Sequence, residues 1–158
     1  MTSPVDAAQF RQLLGRFATG VSIVTARGAD GRPVGMTASA LASVSLEPPL
    51  LLVAVDRQND MHDTLRVAPH FAVNILAADQ EPLSRRFAAT DANRFYGVGY
   101  RESRHGVPLL NGVLAHIECA SHAAVPGGDH TVFFGLVTGG DVTDKQPLVY
   151  YRSGYGSF

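Results

Sequence analysis

Two long β-type stretches, Leu114 to Val125 and Thr131 to Val142, flank Pro126-Gly127-Gly128-Asp129, a run that interrupts regular structure and turns the chain back. A hairpin of that length needs other strands to cover it, and the rest of the chain supplies them. Val21-Ser22-Ile23-Val24-Thr25-Ala26 is rich in β-branched residues, Asp30-Gly31 is a hairpin-turn signal, and Pro33 to Ser45 returns as a strand. This is antiparallel β structure and not a βαβ unit. Leu50 to Val55 and Phe71 to Leu76 are continuous apolar runs of strand length, expected to be buried on both faces. Long hairpins with few helices favour a mainly β fold, a closed Greek-key barrel, with residues 1–158 as one domain.

Three helices are expected at the periphery. Ser3-Pro4-Val5-Asp6 reads as an N-cap, a first-turn proline and an early acid, ahead of Phe10, Leu13, Leu14 and Phe17 at helical spacing. Asp60 is the expected cap of a helix through Met61 to Val67. Asp79 is the expected cap of another, with Pro82 in its first turn and Leu83 and Phe87 on its buried side.

With 46% hydrophobic and 17% charged residues, the 158-residue chain can bury a substantial core. Its net charge of −1 and lack of a basic run argue against nucleic acid or an anionic membrane surface as partner. The start lacks the basic-then-apolar pattern of a signal peptide, and no apolar run approaches the roughly 20 residues that span a bilayer. A soluble cytoplasmic protein is expected. Cys119 is the single cysteine and reads as a small buried hydrophobe.

Several chemistries can be set aside. His116, Glu118 and His122 share one strand face, but His116 and His122 would lie roughly 20 Å apart, too far to hold one metal ion. The sequence has no G-x-S-x-G elbow, no phosphate loop and no G-x-G-x-x-G turn, so any nicotinamide must bind without a Rossmann domain. Thr37, Ser39, Ser43 and Ser45 occupy odd positions, and in one extended strand their hydroxyls would face the same way. Such a row suits either solvent or the polar atoms of a ligand.

The block Val34-Gly35-Met36-Thr37-Ala38-Ser39, followed by Ser43-Val44-Ser45-Leu46-Glu47-Pro48-Pro49-Leu50, resembles the signature of the small flavin reductases that serve two-component monooxygenases. Val55-Asp56-Arg57, Phe71 to Leu76, Arg86-Phe87, Gly128-Asp129-His130 and Tyr150-Tyr151-Arg152 with Tyr155 follow in the same order, from about Phe10 to Gly156. The resemblance implies the split barrel that binds flavin mononucleotide, usually as a homodimer with cofactor sites near the subunit interface. It implies an NAD(P)H:flavin oxidoreductase, using NADH or NADPH to reduce FMN or FAD for a separate oxygenase. A flavin-binding carrier or sensor on the same fold is the alternative, and an oxidase acting on its own substrate a third.

The same resemblance assigns roles. Met36, Thr37, Ala38 and Ser39 meet the isoalloxazine edge, while Ser43, Ser45 and the Asp56-Arg57 turn approach the ribityl chain and phosphate. Arg57 and Arg86 are phosphate partners or surface arginines, and Phe87 is assigned to the flavin-binding site with them. His130 contacts the nicotinamide or is a turn residue. Tyr150, Arg152 and Tyr155 line the nicotinamide groove or pack the barrel end. Hydride passes between cofactors, so no catalytic side chain and no metal is expected. Two departures stand out: Ser39-Ala40 occupies a place where the family often has Asn-Ser, and Asp60 follows the arginine, where a carboxylate repels phosphate unless it caps a helix.

Overall fold

Strands form within every strand-type run of the sequence in a computed structural model that describes residues 1–158. In chain order the elements are α1 (Ala7–Leu14), β1 (Thr19–Gly20), β2 (Ser22–Arg27), β3 (Pro33–Ala38), β4 (Leu41–Leu46) and β5 (Pro49–Asp56). Then come α2 (Asp60–Val67), β6 (His70–Ile75), α3 (Glu81–Ala88), β7 (Tyr100–Glu102) and β8 (Pro108–Leu110). The long hairpin β9 (Ala115–Gly127) and β10 (His130–Val142) and the short one β11 (Leu148–Tyr151) and β12 (Gly154–Ser157) complete the chain.

Seven strands form one antiparallel sheet in the order β3-β2-β6-β9-β10-β5-β4. Its two edges, β3 and β4, are consecutive in sequence, so the sheet must curl until its ends approach. Met36 and Ala38 of β3 accordingly share one core with Val53 and Val55 of β5, and Leu41 of β4 packs against it. No ladder joins β3 to β4, which leaves the barrel split. A second core lies outside the barrel wall, where Ile23 and Leu76 meet Phe87 of α3, Leu110 and Leu148. No helix is long and apolar enough to cross a membrane.

Four local expectations change. The run from Pro33 to Ser45 breaks at Ser39-Ala40 into two strands with different partners, β2 for β3 and β5 for β4. The Leu50–Val55 run is not buried on both faces, because Leu51, Val53 and Val55 point into the barrel while Leu50, Leu52 and Ala54 stay half-exposed outside it. Phe71 to Leu76 does meet cover on both sides: Phe71 and Val73 face the barrel interior, and Ala72 lies with Val107 and Leu109. The long hairpin turns on Gly128 and Asp129 alone, since His130 already pairs with Gly127 and Gly128 supplies a φ of 67°. The helix caps also shift by a few residues. Asp6 and Asn59 accept the capping N–H bonds, from Gln9 and Met61, and Gln80 precedes α3 without a side-chain cap.

Candidate functional site

The β5–β10 register sets His130 directly across from Asp56, bringing the Asp56-Arg57 turn against the Gly128-Asp129 turn. The Arg57 backbone N–H donates to the Asp129 carbonyl at 3.1 Å, and its guanidinium donates to the Gly128 carbonyl. Asp56 accepts from the Gln58 N–H at 2.8 Å, closing its own turn. Beside it, the half-exposed His130 ring donates from Nδ1 to Asp129 Oδ1 at 2.7 Å. That bond, and then the nearby imidazole charge, hold the Asp129 carboxyl below its usual range. With Nδ1 engaged, Nε2 is the nitrogen that remains for a ligand. Underneath, buried His62 shares a 2.7 Å hydrogen bond with Thr131 through its own Nε2, anchoring α2 to the start of β10.

The hydroxyl row of the sequence divides. Thr37 Oγ1 donates to the Ser84 carbonyl at 2.6 Å, fastening β3 to α3. Ser39 is exposed beyond the end of β3, while Met36 and Ala38 are buried. A bulge at Val44 breaks the alternation that would have aligned Ser43 with Ser45. Ser39, Ser43 and Ser45 border two cavities: Ala38 and Ser39 line one of about 310 Å³ with Phe17 and Thr19. Ser43 and Ser45 line another of about 650 Å³ with His116 and Val142, and both cavities share Leu41 and Ile75. Thr19 Oγ1, in that wall, is buried without a hydrogen-bond partner, a cost that native folds rarely leave unmet.

Tyr150 and Tyr155 belong to the β1-β11-β12 sheet and pack edge-to-face at 5.3 Å between centroids. The Tyr155 hydroxyl lies 2.8 Å from Ser84 Oγ, and the Arg85 guanidinium sits 4.9 Å above its ring. Arg152 is in the two-residue turn of that hairpin with φ of 50°, and its N–H reaches the Gly15 carbonyl at 3.1 Å. The tyrosine pair therefore contacts α3, whereas His130 contacts the Asp56-Arg57 turn.

Two assigned residues are used elsewhere. Phe87 is 1% exposed inside the second core, so it presents no surface to a ligand. Arg86 donates to the carbonyls of Arg94 (2.6 Å), Asn93 (3.3 Å) and Tyr96, binding the following loop instead of facing Arg57. Asp60, feared as a repulsive carboxylate, is paired with Arg94 at 3.1 Å. Sequence reasoning missed Arg94, Thr19 and the fully buried Ser84, whose bonds join β3 to the C-terminal hairpin. None carries a periodic or motif signal.

These walls suit a flat heteroaromatic ring with a phosphate tail: a half-apolar slot with an unpaired buried hydroxyl in its wall, hydroxyls along its rim, and a separate arginine turn. Comparison with known proteins identifies the family. Residues 14–158 match the family model described as the flavin reductase-like domain. The chain is 39% identical over 152 residues to the reductase subunit HsaB of a flavin-dependent monooxygenase from Rhodococcus jostii, covering 96% of this chain and 77% of that one. It is 39% identical over 157 residues to a flavin reductase from Pseudomonas putida, covering 99% and 92%. Among solved structures, an NADH:FAD oxidoreductase from Streptomyces globisporus, in complex with NAD and FAD fragments, superposes with a TM-score of 0.93 at 38% identity, covering 100% of this chain and 96% of that one.

Proposed function

The chain belongs to the flavin reductase-like domain family, and from that premise we propose that it is an NAD(P)H:flavin oxidoreductase that hands reduced FMN or FAD to a separate monooxygenase. The observation that supports this most is the β5–β10 register, which sets His130 opposite Asp56 and beside Arg57. When bound, the nicotinamide and the flavin supply the hydride transfer themselves. The protein's task is to hold two rings together and to keep their charged tails apart from them.

In this reading the cavity bounded by Ala38 and Ser39 takes the isoalloxazine, with Met36 and Thr37 behind it, whereas Ser43 and Ser45, paired with Leu51 and Leu50 of β5, lie roughly 20 Å along that strand from Arg57 and so, against the sequence expectation, do not share the phosphate with it. Arg57 offers charge-assisted donors to the phosphate. His130 orients the nicotinamide through Nε2, and Tyr150, Arg152 and Tyr155 form the other boundary of the nicotinamide groove. Flavin-dependent oxidation of NADH or NADPH by the purified protein tests the proposal, read as loss of nicotinamide absorbance. Flavin binding without any such oxidation would make the chain a carrier instead.

Arg57→Ala is expected to weaken flavin binding by roughly 1–3 kcal/mol, the range for a charge-assisted hydrogen bond, while bound flavin is still reduced. A flavin titration measures it, and an unchanged dissociation constant would place Arg57 outside the site.

The enzyme would work as a soluble cytoplasmic homodimer. Phe10, Leu13 and Leu14 leave the apolar face of α1 uncovered, and Phe17, which lies beyond the helix end and not on it and is 71% exposed, also lines the Ser39 cavity. A second copy would cover that face and close the cavity mouth. Sedimentation is expected to give about twice the chain mass, and a monomer with full reductase activity would remove the interface from the mechanism.

A further inference from the structure

One buried titratable side chain has no part in the roles above. His62, in the first turn of α2, is 6% exposed and directed at the start of β10. A carboxylate only accepts, so Nδ1 donates to Asp63 Oδ1 at 3.1 Å, while Nε2 shares its 2.7 Å bond with Thr131 Oγ1. The ring also meets Phe133 edge-on, at 5.7 Å between centroids. Thr131 and Phe133 are two residues apart and so lie on one face of β10, with His130 on the other.

His130 is therefore bracketed. On one side, the Arg57 N–H and guanidinium hold the carbonyls of Asp129 and Gly128. On the other, His62 holds Thr131. Both holds come from one short segment. The Asn59 N–H donates to the Asp56 carbonyl and the His62 N–H to the Asn59 carbonyl, each at 3.0 Å, and the Asn59 side chain caps the helix at Met61. Met61 and Leu65 then fix α2 in the barrel core. An apolar pair of the same shape would fill the space between α2 and β10 as well. What the polar pair adds is a fixed position of one element on the other.

We propose that the His62–Thr131 pair is a positioning device for the nicotinamide: it fixes the start of β10, and through it the angle at which His130 presents Nε2 to the ring of NADH or NADPH. The inference rests on the reductase reading, which supplies the nicotinamide. His62 itself touches no substrate. Its effect is confined to the nicotinamide side, because Arg57 is held by the Gly128 and Asp129 carbonyls and not by Thr131.

Thr131→Val removes the hydroxyl at nearly constant volume and leaves Nε2 of His62 unpaired. It is expected to raise the KM for NADH, and the dissociation constant of NAD+ titrated by calorimetry with FMN present, by about threefold to tenfold, with FMN affinity unchanged. His62→Gln, whose amide reaches the place of Nε2, should keep wild-type values. The double variant His62→Leu/Thr131→Val separates position from stability. With both polar partners gone, the urea midpoint should return close to that of the wild type, while the weakened NAD+ binding remains. A role in stability alone would restore NAD+ binding along with the midpoint, and that result overturns the proposal, as does wild-type NAD+ affinity in Thr131→Val or an equal loss of FMN affinity. If the wild-type protein oxidised NADH with none of the flavins, the reductase reading would end, whereas the NAD+ titrations would still decide the role of the pair.

Discussion

Phe87→Ala is expected to lose about 3–5 kcal/mol of folding stability, the range for truncating a fully buried aromatic. The ring packs edge-to-face on Phe95 at 5.0 Å between centroids, and its edge lies against Gly35, where an added Cβ would come within 2.9 Å of it. Nothing larger than glycine fits between this ring and β3 without a shift. Truncation would open a void between α3 and β3, and α3 also carries Ser84, which fastens Thr37 and Tyr155. Urea denaturation reads the loss as a lowered midpoint with little change in slope. Phe87→Leu, which refills part of the volume, should recover a good share of it. Wild-type stability with lost flavin affinity would return Phe87 to the ligand, against its burial.

Phe87 illustrates what one sequence can and cannot convey. Its helical position on the buried side of α3 was legible, because periodicity reports which face is covered. A ligand and a protein core want the same apolar ring, however, so the residue type alone could not say which of them it meets. The arginines pose the same problem. Arg57, Arg86 and Arg94 are chemically identical, and only the fold shows that Arg57 reaches the Gly128 carbonyl across the end of the β5–β10 ladder while the loop after α3 takes Arg86 and Arg94. The barrel itself was readable from the β-branched run of β2, the apolar runs of β5 and β6 and the long hairpin of β9 and β10. The C-terminal hairpin was not, since its turn places Arg152 and Ser153 at φ of 50° and 62°, positions where Asn-Gly would have announced it. The serine row was misaligned for a similar reason: an interruption of the strand at Ser39-Ala40 and a bulge at Val44 are set by barrel closure and leave no local signature.

His130→Ala is expected to raise the KM for NADH and to slow flavin reduction by tenfold to a hundredfold, about 1.4–2.7 kcal/mol of transition-state stabilisation. The loss is bounded because no protein group has to give or take a proton while hydride passes between two cofactors. Flavin affinity should survive, for a structural reason. The turn holds Arg57 through the backbone carbonyls of Gly128 and Asp129, and the His130 ring contributes to neither contact. Removing the ring releases Asp129 from its partner but leaves Arg57 where it is. Asp129→Asn separates the two roles of the pair, since it keeps the ring while replacing the carboxylate with an amide that can turn its NH₂ toward Nδ1 and favour the other tautomer. That variant should show a smaller loss than His130→Ala, confined to the nicotinamide side. Stopped-flow reduction at saturating NADH, beside a flavin titration, measures both halves. Wild-type reduction kinetics in His130→Ala would make His130 a residue of the turn only, and lost flavin binding would move it to the phosphate side of the site.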